Sequence, residues 1–371
     1  MAMTGAFRCG HARGRDWQDA AQAVLGQLGS GAGNLGFVYA TDLLADHLGE
    51  IVDFLRERTG VAHWTGTVGM GVCATGAEYM DEPALAVLTG HFDPACFRVF
   101  SGVRTVAEAQ GAELACPDGS AHFAVVHADP QHRELPKLIE KLARRVDSRF
   151  LVGGLTSSRR ENLQVADGIV EGGLSGVAFS DQVAIATRLT QGCSPVGSRH
   201  VVTEAQRNVV VRLDGRPALD VMREDIGEAL SRDLNRLGGT VFAGLMIPGT
   251  DTGDYVVRHL VGIDPSSRLI AIGDYAKTGG ELMFCRRDAK SARDDMARML
   301  ESIKEGLFAR PRAGLYYSCL GRGAGLFGAD ATELRMIRDA LGEFPLAGFY
   351  CNGEISHHRL YGYTGVLTLF V

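Results

Sequence analysis

One pattern recurs three times along this chain: an apolar strand, an amphipathic helix, a strand that carries glycine, a polar turn and a closing apolar strand. In the first copy the strand Leu35–Ala40 leads through Thr41-Asp42 into a helix with Leu44, Leu48, Ile51, Val52 and Leu55 at helical spacing, then a glycine-rich strand Gly66–Cys73 and a closing strand Ala84–Leu88. The second copy runs through strand His122–His127, helix Leu135–Val146, strand Phe150–Leu155 with Gly153-Gly154 inside it, and strand Ser175–Phe179. The third has strand Leu315–Leu320, a helix showing Leu334, Ile337 and Leu341 that stops at Gly342, strand Leu346–Tyr350 and the closing run TGVLTLF. Matching Gly69, Gly153 and Gly348 aligns the copies. Such repetition binds consecutive strands to one another and leaves few topologies open.

Many of the remaining strands are joined by short turns, which calls for mixed sheets with much antiparallel pairing. The helices are too few to cover both faces of every sheet, so some sheet faces must bury each other. The expected fold class is α/β (α+β): two related halves with mixed, largely antiparallel sheets and helices on the outer faces, layered α/β/β/α, with internal βαβ-type repeats. An N-terminal helix Asp16–Leu28 and its linker occupy residues 1–33, and domains follow over 34–200 and 201–371. The Gly- and Pro-bearing segment Thr190–Gly197 reads as the crossover. In the second half a helix from Pro217 shows Leu219, Met222, Ile226, Leu230 and Leu234. A last long helix, Ala289–Gly306, precedes the third copy.

Composition narrows the function. A net charge of −6 and pI near 6.0 give no basic footprint, so nucleic acid is not an expected partner. No apolar run approaches the roughly eighteen residues of a membrane span, and the N-terminus lacks a secretory h-region, so the expected setting is cytoplasmic. The eight cysteines contain no C-x-x-C pair, which speaks for reduced thiols and against a disulfide framework or a zinc knuckle. Neither a cofactor nor a metal is expected.

Candidate chemistry gathers in the third copy. Its first strand runs into Gly321-Arg322-Gly323-Ala324-Gly325-Leu326-Phe327-Gly328, where little side-chain bulk blocks approach to the backbone. The next helix opens on Asp330-Ala331-Thr332-Glu333, an acidic variant of a capping box, so its free N–H groups face that loop. The strand after it ends in Cys351-Asn352-Gly353-Glu354, at the carboxyl end of a sheet, where α/β proteins bind ligands. Gly323–Gly328 satisfies G-x-G-x-x-G, but no acidic residue ends the next strand at the spacing of a dinucleotide site, and a tight turn is the commoner cause. Arg322 offers bidentate donors to a carboxylate or phosphate; the bland alternative is a salt bridge to Glu354 or Asp330 that pins the loop. Cys319, with His357 or His358 as base, is the alternative reading as a thiol nucleophile, against a small buried cysteine at a strand end. Cys351, Glu354 and the two histidines match no standard metal spacing. Gly153, Gly154 and Thr156 supply backbone and hydroxyl donors of the kind that bind anions, or simply make a turn.

SCLGRG (Ser318–Gly323), GFYCNGEI (Gly348–Ile355) and LYGYTGVLTLF (Leu360–Phe370) together resemble the C-terminal half of FIST-domain proteins. LVGGLTSS (Leu151–Ser158), SGVAFS (Ser175–Ser180) and QGCSPVG with Val202-Thr203 resemble the N-terminal half. The chain departs from that pattern at Ser356-His357-His358, where the family commonly has Gly or Pro after GEI. The resemblance covers most of residues 30–371 and implies an intracellular sensory module of signal transduction that binds a small ligand, such as an amino acid or related small acid, and hands its signal to a downstream protein. It also implies pocket contacts from Cys319, Arg322, Asn352 and Glu354; with the glycines beside them, Gly321, Gly323 and Gly353, and with Gly153, Gly154 and Thr156 of the other half facing them, these are the expected ligand-binding residues. A protein-binding scaffold without a small ligand is the third reading.

Overall fold

The computed structural model describes residues 3–29, 31, 33–231, 237–247 and 255–371. Its contacts divide the chain into two compact units, residues 1–190 with 296–371 and residues 191–295.

Period-2 alternation builds the larger unit. In the lead strand Leu35–Thr41, Leu35, Phe37 and Tyr39 enter one core, while Val38 and Ala40 face Leu48, Ile51, Val52 and Leu55 of the helix Leu48–Thr59. The lead strand Phe123–Ala128 repeats this: Phe123 and Val125 enter the shared core, whereas Ala124, Val126 and Ala128 meet Leu135, Leu138, Ile139 and Leu142 of the helix Leu135–Ala143. In the lead strand Ala313–Cys319 it is Leu315 and Tyr317 that join the same core. Helices therefore cover outer sheet faces, and the inner faces of three sheets bury one another.

The three sheets share one strand order. Each runs flanking, closing, lead and glycine strand, then a hairpin. The lead strands pair in parallel with His63–Gly69, Phe150–Leu155 and Leu346–Cys351, and antiparallel with the closing strands Ala84–Phe92, Leu174–Phe179 and Thr364–Phe370. The hairpins are exchanged cyclically. Gly71–Ala74 from the first repeat pairs with Leu346–Cys351 of the third, Leu163–Ala166 from the second pairs with His63–Gly69 of the first, and Glu354–His357 from the third pairs with Phe150–Leu155 of the second.

Register corrects one detail of the repeat. Gly66 lies opposite Val38, Gly153 opposite Val126 and Gly348 opposite Tyr316, so Gly66 rather than Gly69 is the first repeat's equivalent glycine. The stretch Gly66–Cys73 breaks into two strands, His63–Gly69 and Gly71–Ala74, which enter different sheets. One residue past the matched register stand Tyr39, His127 and Tyr317, and these three fully buried rings meet. Tyr39 Oη and Tyr317 Oη are 3.1 Å apart, and His127 Nε2 approaches Tyr39 Oη at 3.4 Å. Burial drives the His127 pKa down to about 3, so the centre is uncharged at neutral pH.

The N-terminal residues read as linker form the strand Met3–Arg13, an edge strand on Ala84–Phe92. Helix Trp17–Leu28 follows, capped by Asp16, and buries Ala20, Ala21, Val24 and Leu28. The crossover segment is largely strand, Ile185–Gln191 and then Ser194–Gln206. The smaller unit is a seven-stranded sheet over which helix Ala218–Ser231 lays Leu219, Met222 and Ile226 onto Ile270, Ile272 and Phe284. Leu234 of that helix reading, and the side chain of Leu230, lie outside the described residues.

A Cβ added to Gly66, Gly153 or Gly348 would stand 1.8, 1.8 or 1.7 Å from a carbonyl oxygen of the lead strand. Alanine at any one of them is expected to cost roughly 3 kcal/mol or more, against a fraction of that at the unobstructed Gly168, as read by chemical denaturation.

Candidate functional site

In the third repeat the helix-facing side of the lead strand is polar. Tyr316 and Ser318 stand where Val38 and Ala40, and Val126 and Ala128, stand in the other two. Both hydroxyls donate to Glu333, a carboxylate 1% exposed in the first turn of helix Thr332–Leu341: Tyr316 Oη to Oε1 at 2.8 Å and Ser318 Oγ to Oε2 at 3.1 Å. Gly323 N–H donates to Oε2 at 3.1 Å. Arg322 donates Nε (2.8 Å) and Nη2 (2.7 Å) to Oε1 and lies over the Phe327 ring at 4.8 Å. The partner of Arg322 is thus Glu333, neither Glu354 nor Asp330.

The capping box does not form. Ala331 takes the left-handed conformation at the N-cap with no side-chain cap, and Glu333 turns inward to the guanidinium. The glycine loop is partly helical too, over Gly323–Phe327, and positive φ at Gly323 sets its backbone beneath the Tyr350 ring, which a Cβ would reach at 3.0 Å.

Beyond the ion pair, Arg322 Nη1 is buried with no hydrogen-bond partner. Glu354 opens the exchanged hairpin opposite Gly154 and is fully buried; Thr364 N–H (3.1 Å) and Oγ1 (2.7 Å) both donate to its Oε2, and Oε1 is left without a hydrogen-bond partner. Burial pushes the Glu354 pKa up to about 8, against the Thr364 hydrogen bonds, the field of Arg322 and a weaker hydrogen bond from the Cys319 thiol. The half-buried Cys319 lies against both Glu354 and Arg322, and burial, with Glu354 beside it, pushes its thiol up to about 12. Cys319, Arg322 and Glu354 therefore come together at the carboxyl ends of the third repeat's parallel strands.

The other predicted residues serve this arrangement from behind or lie apart. Gly321 hydrogen-bonds the Cys319 sulfur through its backbone. Gly353, at φ 141°, accepts from Leu155 N–H through its carbonyl, and Asn352 N–H donates to Leu155 while its side chain is exposed. Gly153 and Gly154 pair with Ile355 and Glu354, and the absent Cβ at Gly154 makes room for Cys351 Sγ. Thr156 is buried with its hydroxyl 2.7 Å from that of Thr67. His357 pairs opposite Leu151, at the other end of that strand, and packs on Phe150; His358 follows in the turn, in the field of Arg359, Arg149 and Arg144. The strand thus carries both histidines away from Cys319. Glu333 is the residue that sequence reasoning missed. Its signal was there: Glu333 lies four residues before Ile337, on the helix stripe that faces the sheet.

Family models match nearly the whole of this architecture, the FIST N domain over residues 34–216 and the FIST C domain over residues 218–357. The chain belongs to the FIST family. FIST domains are sensory domains of signal transduction. Uncharacterized protein Rv0628c of Mycobacterium tuberculosis is 33% identical over 346 residues, covering 88% of each chain. Uncharacterized protein Mb0898c of Mycobacterium bovis is 30% identical over 364 residues, covering 94% of this chain and 92% of its own. The junction between the two FIST models falls inside the smaller compact unit, and the third repeat's closing strand lies beyond the FIST C match. Among the described residues no helix is long and apolar enough to cross a membrane.

Two outcomes follow from this geometry. Glu333→Ala strands a buried guanidinium and is expected to cost about 3–5 kcal/mol in urea unfolding, while Arg322→Met with Glu333→Leu recovers most of that loss. Cys319, held as a thiol, is expected to react with iodoacetamide near neutral pH more slowly than free cysteine, with no plateau below pH 9, when followed by mass spectrometry.

Proposed function

We propose that this FIST protein senses a small polar ligand, an amino acid or related small acid, at the carboxyl ends of the third repeat's parallel strands. One observation carries the reading. Two repeats pack their helix on their sheet through apolar side chains with an occasional threonine and no ion pair, whereas the third buries the Arg322–Glu333 pair there, with Glu354 of the exchanged hairpin beside it, and leaves Arg322 Nη1 and Glu354 Oε1 without hydrogen-bond partners. A buried ion pair is a poor source of stability compared with the apolar packing that two sibling interfaces achieve. Unpartnered buried polar atoms cost more still. A site that retains both, beside the half-buried Cys319, is better accounted for by a ligand that completes it than by folding.

The ligand's acidic group accepts from Arg322 Nη1, since Nε and Nη2 are already engaged by Glu333. Arg322 both orients the loop and contacts the ligand, so its removal damages the fold as well as the site. The informative variant is Cys319→Trp, which sets an indole beside Arg322 and Glu354 while keeping both members of the Arg322–Glu333 pair. Thermal unfolding against panels of amino acids, small organic acids and nucleotides tests the reading. A ligand at about a hundred times its Kd adds roughly 2.7 kcal/mol of stability to the wild type, and none to Cys319→Trp. If no compound in any panel stabilises the wild type, the reading fails and a protein-binding scaffold takes its place.

A further inference from the structure

Glu354 holds information about which end of a ligand it meets. Thr364 N–H and Thr364 Oγ1 both donate to Oε2, so that oxygen is a double acceptor. Oε1 is buried and unpartnered. In a neutral carboxyl the oxygen that accepts two hydrogen bonds takes the carbonyl role, and the proton sits on the other. Glu354 therefore presents an Oε1–H donor. Arg322 Nη1, the second unpartnered atom, is a donor in every protonation state. Arg322 and Glu354 stand within electrostatic reach of each other, so an ammonium group on Oε1 would meet the guanidinium's field, whereas an acceptor oxygen is attracted by both groups.

We propose that the site grips its ligand by one acceptor oxygen, of a carboxylate or a carboxamide, held between Arg322 Nη1 and the Oε1–H of Glu354, and not by an ammonium group. This rests on the reading of the same site as a small-ligand sensor and fixes the polarity of the group that enters it. It makes Glu354 an analogue of an oxyanion-hole donor, a carboxylic acid kept neutral so that it can give a hydrogen bond. It also ties occupancy to pH. The titratable groups facing Glu354 are Arg322 from the glycine loop, Cys319 from the lead strand, Cys351 from the glycine strand and, directly across its own hairpin, Tyr361. Both thiols are raised by burial and a phenol ordinarily ionises only at about 10, so Glu354 is the first of these groups to change charge above neutrality. Below about 8 its proton serves as the donor; above, an ionised Glu354 loses that donor and repels a carboxylate.

Saturation-transfer NMR with acetate, acetamide and ethylammonium as probes tests this on wild type, Glu354→Gln and Cys319→Trp, at about pH 6.5 and about pH 9.5. The glutamine keeps an acceptor for Thr364 and an N–H donor where Oε1–H stood, so it mimics the neutral acid at any pH. Acetate and acetamide are expected to bind the wild type at the lower pH and to weaken about ten-fold or more at the higher, where roughly thirty-fold fewer molecules hold the Glu354 proton. Glu354→Gln should bind both probes equally at the two pH values, and Cys319→Trp neither. Binding of ethylammonium that Cys319→Trp removes, or loss of acetate and acetamide in Glu354→Gln at the lower pH, overturns the acceptor assignment and leaves the sensor reading standing. No Cys319→Trp-sensitive signal from any probe removes both.

Discussion

The absence of a side chain at Gly66, Gly153 and Gly348 is the constraint from which this architecture follows. Each glycine strand runs so close to its lead strand that a Cβ would overlap the carbonyl of Val38, Val126 or Tyr316. That approach recurs at the same register in three sheets of the same strand order, and it sets Tyr39, His127 and Tyr317 at one depth, where their rings meet edge to face. Shift one strand by a residue and the alternating pattern would turn Phe37 or Leu315 outward and Val38 or Tyr316 inward. Glycine, register and inner core therefore specify one another.

Cyclic exchange of the hairpins does the rest. A lone sheet of this kind would end on the open edge of its glycine strand, a template for unwanted pairing. Here a neighbour's hairpin covers each such edge: Gly71–Ala74 on Leu346–Cys351, Leu163–Ala166 on His63–Gly69 and Glu354–His357 on Phe150–Leu155. No repeat completes its own sheet. This is why the larger compact unit takes its residues from both ends of the chain and ignores the order in which the family's two domains are written.

Most of the fold could be read from residue order because it rests on local signals. The three copies, the parallel pairs, the antiparallel closing strands and the outward helices all come from alternation, helical spacing and turn residues, and the mixed α+β organisation follows from them. The alignment slipped in the first copy because Gly66 and Gly69 both lie in one glycine-rich run, and only pairing with Val38 separates them. The hairpin exchange was not legible, since no local property of Gly71–Ala74 names a partner strand far along the chain. At the site, Cys319, Arg322 and Glu354 were legible as polar residues at strand ends. Glu333 was not, because an acid in a helix's first turn reads as a cap until the apolar stripe beneath it is traced through Leu334 and Ile337.

The exchange also gives the proposed site a route for reporting its own occupancy. Arg322 belongs to the third repeat's loop and is anchored through Glu333 to that repeat's helix and lead strand. Glu354 lies on a strand hydrogen-bonded to Gly154, in the sheet of the second repeat. A ligand held by both would bridge two sheets that already meet through apolar packing, the uncharged ring cluster and the hydrogen bonds from Thr364 to Glu354. Its binding free energy would then bear on how the two sheets sit against each other. Differential stabilisation of one arrangement of packed elements is all that a sensory domain needs to pass a signal on, and it requires no movement at the ligand larger than the completion of two hydrogen bonds.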